Sequence, residues 1–239
     1  MAHHVQHYNL DQKFDFTAAT KKAVFTVLGI GAALLVLGIV MAMFGGGHHE
    51  AAEAEGHAFH WYERLYANLW INNVYFTGIA IIGVFFFAIQ YAAQAGWSTA
   101  IIRVMLSLGN WLPIAGVLMI VTFFIANHDL FHWTHAYLFD KTSPDYDKII
   151  DGKGAFFYWP MAKGTFPVLY IFRMVLFFGF WVFFFKKFQQ FTYNEDIIGG
   201  TSSWYKIRSW SAFFLIFFAV SSSIAAWDWV MSIDTHWFS

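Results

Sequence analysis

The chain has 239 residues, 59% hydrophobic, 22% aromatic and 12% charged, with a formal net charge of −1 and a mean hydropathy of +0.50. Soluble domains carry about 25% charged residues, so the composition excludes one, and the near-zero charge favours neither nucleic acid nor an acidic partner. The absence of cysteine excludes disulfides, thiolate zinc sites and cysteine-ligated iron–sulfur clusters within the chain.

Crossing about 30 Å of hydrocarbon takes roughly 20 apolar residues. Five runs meet that length, and they predict spans at about 22–44, 69–93, 101–126, 167–188 and 209–230. No segment alternates with the period of a barrel strand, so the expected fold is all-α, a polytopic transmembrane helical bundle. Residues 1–21 form an N-terminal segment and 22–239 the transmembrane domain. The first span follows a polar stretch and has no small-x-small cleavage pattern, so it reads as an uncleaved anchor. His3, His4 and His7 ahead of it, and His48 and His49 in the Gly45–Glu55 linker after it, read as solvated loop residues. Asn68, Asn72 and Asn73 open the second span as helix glue. In the third span, Pro113 lacks an N–H and is expected to kink the helix near Asn110.

At the end of that span His128, His132 and His135 fall at helical spacing on one face. This is the strongest apparent metal or haem signal in the chain, with His57 and His60 available on the same side. Histidine and tryptophan are also common interface anchors, and hydrogen bonding to a headgroup, a quinone or a neighbouring subunit is the stronger reading. The 127–166 stretch then mixes Asp145, Asp147, Asp151, Lys148 and Lys153 with Phe156-Phe157-Tyr158-Trp159 and reads as a functional interfacial loop. The phenylalanines dense at 177–191 supply a lipid-facing and helix-packing surface.

Lys13, Lys21, Lys22, Arg103, Lys186, Lys187, Lys206 and Arg208 gather on the side of the N-terminus, the 94–100 loop and the 186–208 loop. That bias predicts a cytoplasmic N-terminus, with the 127–166 loop and the C-terminal residues facing outward. Within the spans, Arg173 lies roughly 9 Å into the fourth at 1.5 Å per residue. Asp228 lies at comparable depth in the fifth, between Trp227 and Trp229. Charges at membrane depth are costly, so they are paired, neutralised or in use. An Arg173–Asp228 pair, direct or water-bridged, is therefore expected. Ser221, Ala225, Asp228 and Ser232 share one face of the fifth helix, a stripe suited either to carrying water and protons or to close packing. Asp234 and His236 follow within about two turns. The chain stops at Ser239 without a polar tail, as expected of a piece of a longer protein.

Two segments carry a resemblance. One runs from Leu130 through His132-Trp133-Thr134-His135, then Asp147-Lys148-Ile149-Ile150-Asp151-Gly152-Lys153, then Phe166 to Arg173. The other is Trp227-Asp228-Trp229-Val230-Met231-Ser232-Ile233-Asp234, followed by His236-Trp237-Phe238-Ser239. Together they resemble the ActF-type membrane subunits of alternative complex III, the quinol:cytochrome c oxidoreductase, which are related to the NrfD-type membrane subunits of polysulfide reductases. The similarity covers about 125–239 well and the first 120 residues by span pattern only. The 159–164 stretch departs from the family, and the family's members have more spans, built on four-helix bundles.

The resemblance implies a subunit of a quinol-oxidising respiratory complex in the bacterial inner membrane. No cofactor would be bound by this chain. The substrate would be menaquinol or ubiquinol. Iron–sulfur clusters and haem c would sit in partner subunits, beside a sister NrfD-like membrane subunit and membrane lipid. Quinol oxidation releases protons with the electrons, so groups able to take them are expected. Asp228 and His128 would be proton acceptors or relays, Arg173 a charge partner, and Asp234 and His236 exit groups. A haem-b-binding anchor subunit and a non-catalytic scaffold remain the alternatives.

Overall fold

The computed structural model describes residues 16–44 and 61–237. The N-terminal histidines, the Gly45–Glu55 linker with His48 and His49, His57, His60, and the final Phe238 and Ser239 lie outside the described residues. Among the described residues every regular element is helical, and five helices are long and apolar enough to cross a membrane. The protein is an all-α, multi-pass membrane protein.

The chain divides into two units near Leu65. The first holds α1 (Ala18–Phe44), none of whose residues is buried. The second, from Tyr66 onward, holds the rest of α2 (Trp61–Ala92), then α3 (Ile102–Ser107), α4 (Leu112–Leu130), α5 (Lys148–Tyr158), α6 (Val168–Ile198) and α7 (Ser202–Trp229). Each membrane helix of the second unit buries one face at three- and four-residue spacing, as the 3.6-residue period requires. In α6 that face is Tyr170, Arg173, Met174, Phe177, Trp181, Phe184 and Phe188. Phe180 and Phe183 point outward, so the phenylalanine-rich stretch both packs and meets lipid. Lipid tails are as apolar as phenylalanine, so close packing rather than escape from water holds such faces together.

The third span is not one helix. Residues Leu108–Trp111 form a 3-10 turn between α3 and α4, where a kink was expected. Pro113 stands in the first turn of α4, where its missing N–H removes no internal hydrogen bond. It therefore starts a helix rather than bending one. The turn packs tightly: a Cβ on Gly109 would come within 2.5 Å of the Phe185 ring. At the far end of α6, Gly199 and Gly200 take φ of +66° and +76°, which glycine adopts without a Cβ penalty. They return the chain directly into α7, which packs along α6.

The 127–166 stretch is more ordered than a loop. It contains two 3-10 turns (His132–Thr134 and Ala136–Phe139) and α5. The Asp147 carboxylate caps α5 by accepting from the amides of Ile149 and Ile150 at 2.8 and 3.1 Å, the usual device for satisfying free N–H groups at a helix start. Gly154 lets Lys163 and Phe139 close against α5.

Candidate functional site

Asp228 occupies the last turn of α7 and Arg173 the second turn of α6, both buried. The antiparallel packing of the two helices brings the side chains face to face. Arg173 Nε donates to Asp228 Oδ2 at 2.7 Å and Nη2 donates to Oδ1 at 2.6 Å. This is the direct form of the expected pair, in the two-pronged geometry that guanidinium and carboxylate share. The third nitrogen, Nη1, donates to the Phe156 carbonyl at 2.7 Å, and Cζ lies 3.9 Å from the centre of the Phe156 ring. Arg173 thus ties α6 to α7 and to the end of α5. Such geometry offsets the several kcal/mol that removing each ion from water costs.

Ser221, Ala225 and Asp228 are buried on one face of α7, while Ser232, expected on the same helix, lies past its end in a 3-10 turn over Met231–Ile233 and is buried there. Both hydroxyls are engaged. Ser221 Oγ accepts the Trp181 indole N–H at 2.9 Å, and Ser232 Oγ donates to the Asp228 carbonyl. The Trp229 carbonyl next to it accepts from Trp70 Nε1 at 2.7 Å. Beside the ion pair, Tyr170 is fully buried, lies within electrostatic reach of Asp228 and Arg173, and has an unpartnered hydroxyl. Its ring stacks on Phe123 at 4.7 Å.

Asp234 and His236 lie farther out and form a separate cluster. His236 Nε2 is 2.7 Å from Asp147 Oδ2, its backbone N–H donates to Asp234 Oδ1 at 3.2 Å, and Lys153 Nζ donates to the Thr235 carbonyl at 2.6 Å. The C-terminal segment is thereby pinned to α5. Burial pushes the Asp147 carboxyl up, but the amides of Ile150 and Ile149 and the imidazole of His236 outweigh it and hold the group below the usual carboxylate range. Asp151 is also held down, by Lys163 and then by the Tyr146 hydroxyl, while burial pushes the Tyr158 phenol well up.

The three histidines at the end of the third span do not share a helical face. α4 ends at Leu130, Phe131 is extended, and His132 and His135 follow in and after a 3-10 turn. The rings are still neighbours, His128 and His132 lying 5.4 and 5.7 Å from His135. Side by side on one segment, they do not oppose each other across a cavity as two axial haem ligands would. Among the described residues no group of three histidine and carboxylate side chains is placed to hold a metal ion. His128 instead pairs with Thr134, Nδ1 to Oγ1 at 3.1 Å, and makes no hydrogen bond or ion pair among the described residues with Arg173, Asp228, Asp234 or His236.

The structure therefore joins Arg173 to Asp228 and Asp234 to His236, and leaves His128 on its own. Asp147, Lys153 and the Phe156 carbonyl complete the two clusters; the sequence placed these residues in the interfacial loop but gave them no role at the site. Asp147 ahead of Lys148-Ile149-Ile150 is a readable cap signal. A backbone carbonyl leaves no such trace.

Fold and site define a multi-pass helical membrane protein with a chelated ion pair buried between two of its spans. Compared with protein-family models and with curated proteins, the chain matches none.

Proposed function

We propose that this chain is a membrane subunit of a quinol-oxidising respiratory complex of the alternative complex III type. Its place would be the bacterial inner membrane, with the N-terminus cytoplasmic. The observation that carries the reading is the Arg173–Asp228 chelate. The two stretches whose residues resemble that family, one ending at Arg173 and one beginning at Trp227, meet through this pair. A carboxylate at membrane depth, flanked by a buried phenol, is also the chemistry a proton route requires.

In this reading quinol gives up two electrons and two protons. The electrons pass to iron–sulfur and haem c centres of partner subunits. Asp228 and His128 accept or relay protons, Arg173 sets the charge on Asp228, and Asp234 and His236 pass protons to the outer phase. A scaffold role is the second reading, supported by the engagement of Ser221 and Ser232 in packing hydrogen bonds.

Turnover of the intact complex with decyl-quinol, carrying Asp228→Asn and checked for assembly on native gels, separates the two. Lost turnover or lost proton release in a normally assembled complex is the expected result. Wild-type values for both would leave the carboxylate a packing group and give the scaffold reading the lead.

A further inference from the structure

Where α4 ends and the chain approaches α6, a cleft of about 150 Å³ is walled by Phe123, Phe124, Phe166 and Tyr158 and edged by His128 and Thr134. We propose that this cleft binds the ring of a hydroquinone in its reduced form, with His128 Nε2 accepting a hydrogen bond from a ring hydroxyl. The proposal rests on reading the chain as part of a quinol-oxidising complex and adds a binding site within this subunit.

Size is the first argument. Sites that bury a whole drug-sized ligand run to roughly 300–1,000 Å³, so this cleft suits one ring and leaves an alkyl tail outside. Its mouth is apolar: Phe124 and Phe166 lie 6.2 Å apart, nearly parallel, and each is about half exposed.

Proton bookkeeping is the second. Thr134 Oγ1 has a single proton and three neighbours able to take it: the Phe131 carbonyl at 2.8 Å, His128 Nδ1 at 3.1 Å and the Asn127 carbonyl at 3.2 Å. The Phe131 carbonyl is nearest. With the proton on either carbonyl, Nδ1 must donate to the threonine oxygen, which fixes the tautomer and leaves a lone pair on Nε2. An imidazole acceptor pairs with a hydroxyl. The oxidised ring presents carbonyl oxygens, which cannot donate, so the site selects the reduced form.

The cleft also connects to the buried pair. Tyr158 lies two residues beyond Phe156, whose carbonyl Arg173 holds, and Phe123 stacks on Tyr170. Two walls of the cleft are thus set by the elements that Arg173 joins.

The test is photolabelling of membranes containing the intact complex, without an electron acceptor. The probe is a decyl-hydroquinone bearing a diazirine on the chain carbon next to the ring, used in reduced and oxidised forms. The expected adducts fall in peptides covering 123–134 or 158–167 and are displaced by excess decyl-quinol. The reduced probe should label about tenfold better, the value of one hydrogen bond. His128→Ala should bring labelling by the reduced probe down to the level of the oxidised one. Adducts only elsewhere in the chain, adducts that decyl-quinol does not displace, or equal labelling by the two redox forms would overturn the proposal. The wild-type redox comparison decides even if the variant fails to assemble. Selective cleft labelling with normal Asp228→Asn turnover would sink the proton-route reading and leave the site standing. Turnover dependent on Asp228 with an unlabelled cleft would sink the site alone.

Discussion

Arg173 gives two of its nitrogens to Asp228 and the third to the carbonyl of Phe156, so one guanidinium fixes two membrane helices and a surface helix together. Removing one member of a buried pair strands the other, at about 3–5 kcal/mol. Arg173→Ala should lose about that much, read as a drop in thermal midpoint of the detergent-solubilised protein. Arg173→Lys should recover little of it, because an ammonium cannot span both oxygens and the carbonyl. The double variant Arg173→Met with Asp228→Leu should be more stable than either single replacement by an apolar residue. A double variant no better than the singles would show that the pair is not an energetic unit.

Ser221 tests what the stripe on α7 does. Ser221→Ala leaves the Trp181 indole N–H buried without its partner, which costs about 1–3 kcal/mol. Ser223, two positions on, is exposed and bonds only to the Ala219 carbonyl of its own helix, so Ser223→Ala should be nearly neutral. Thermal unfolding of the two variants side by side checks this. Equal midpoints would mean that the Trp181 contact contributes nothing.

The cap of α5 carries a pH dependence whose sign is fixed. The Asp147 carboxyl is held below its ordinary value of about 3.9. Its contribution is therefore complete above that range and is lost as pH falls from about 4 through its lower folded value. Asp151 titrates in the same direction. Asp147→Ala should cost about 1 kcal/mol, read as faster hydrogen exchange in α5. Asp147→Asn should keep most of the cap while reducing the acid dependence. His236→Ala should cost under about 1 kcal/mol, since its side chain is 50% exposed.

Gly109→Ala tests the turn in the third span. The added methyl would lie 2.5 Å from the Phe185 ring and 2.8 Å from Val84. Overpacking of this size costs about 1–3 kcal/mol. Gly179→Ala, with open space at its Cβ, is the control and should not destabilise α6. A Gly109→Ala protein as stable as wild type would mean that Phe185 yields freely.

The membrane helices were legible because lipid demands long apolar runs, and all five runs are helical, the third as α3 and α4 joined by a 3-10 turn. Their ends were not. α6 continues to Ile198, about ten residues past the predicted end at 188, since a helix need not stop where hydrophobicity does. The Arg173–Asp228 pair was legible because two charges at matched depth on successive antiparallel helices have few other partners. α5 was missed because eleven residues with three charges carry no membrane signal, although Asp147 announced its start. The shared face for His128, His132 and His135 was misread because the spacing assumes a continuous helix, and the extended Phe131 interrupts it.

The 3-10 turn between α3 and α4 also acts as a phase corrector. Each of its four residues advances the chain about 120° around the axis instead of about 100°, an extra rotation of roughly 80°. An uninterrupted helix would set Ile102 and Leu112 about 80° apart. With the turn they come into register, and both are buried. A span that begins off-phase is dialled back, so that Leu112, Ala115, Met119 and Phe123 continue the seam Ile102 begins.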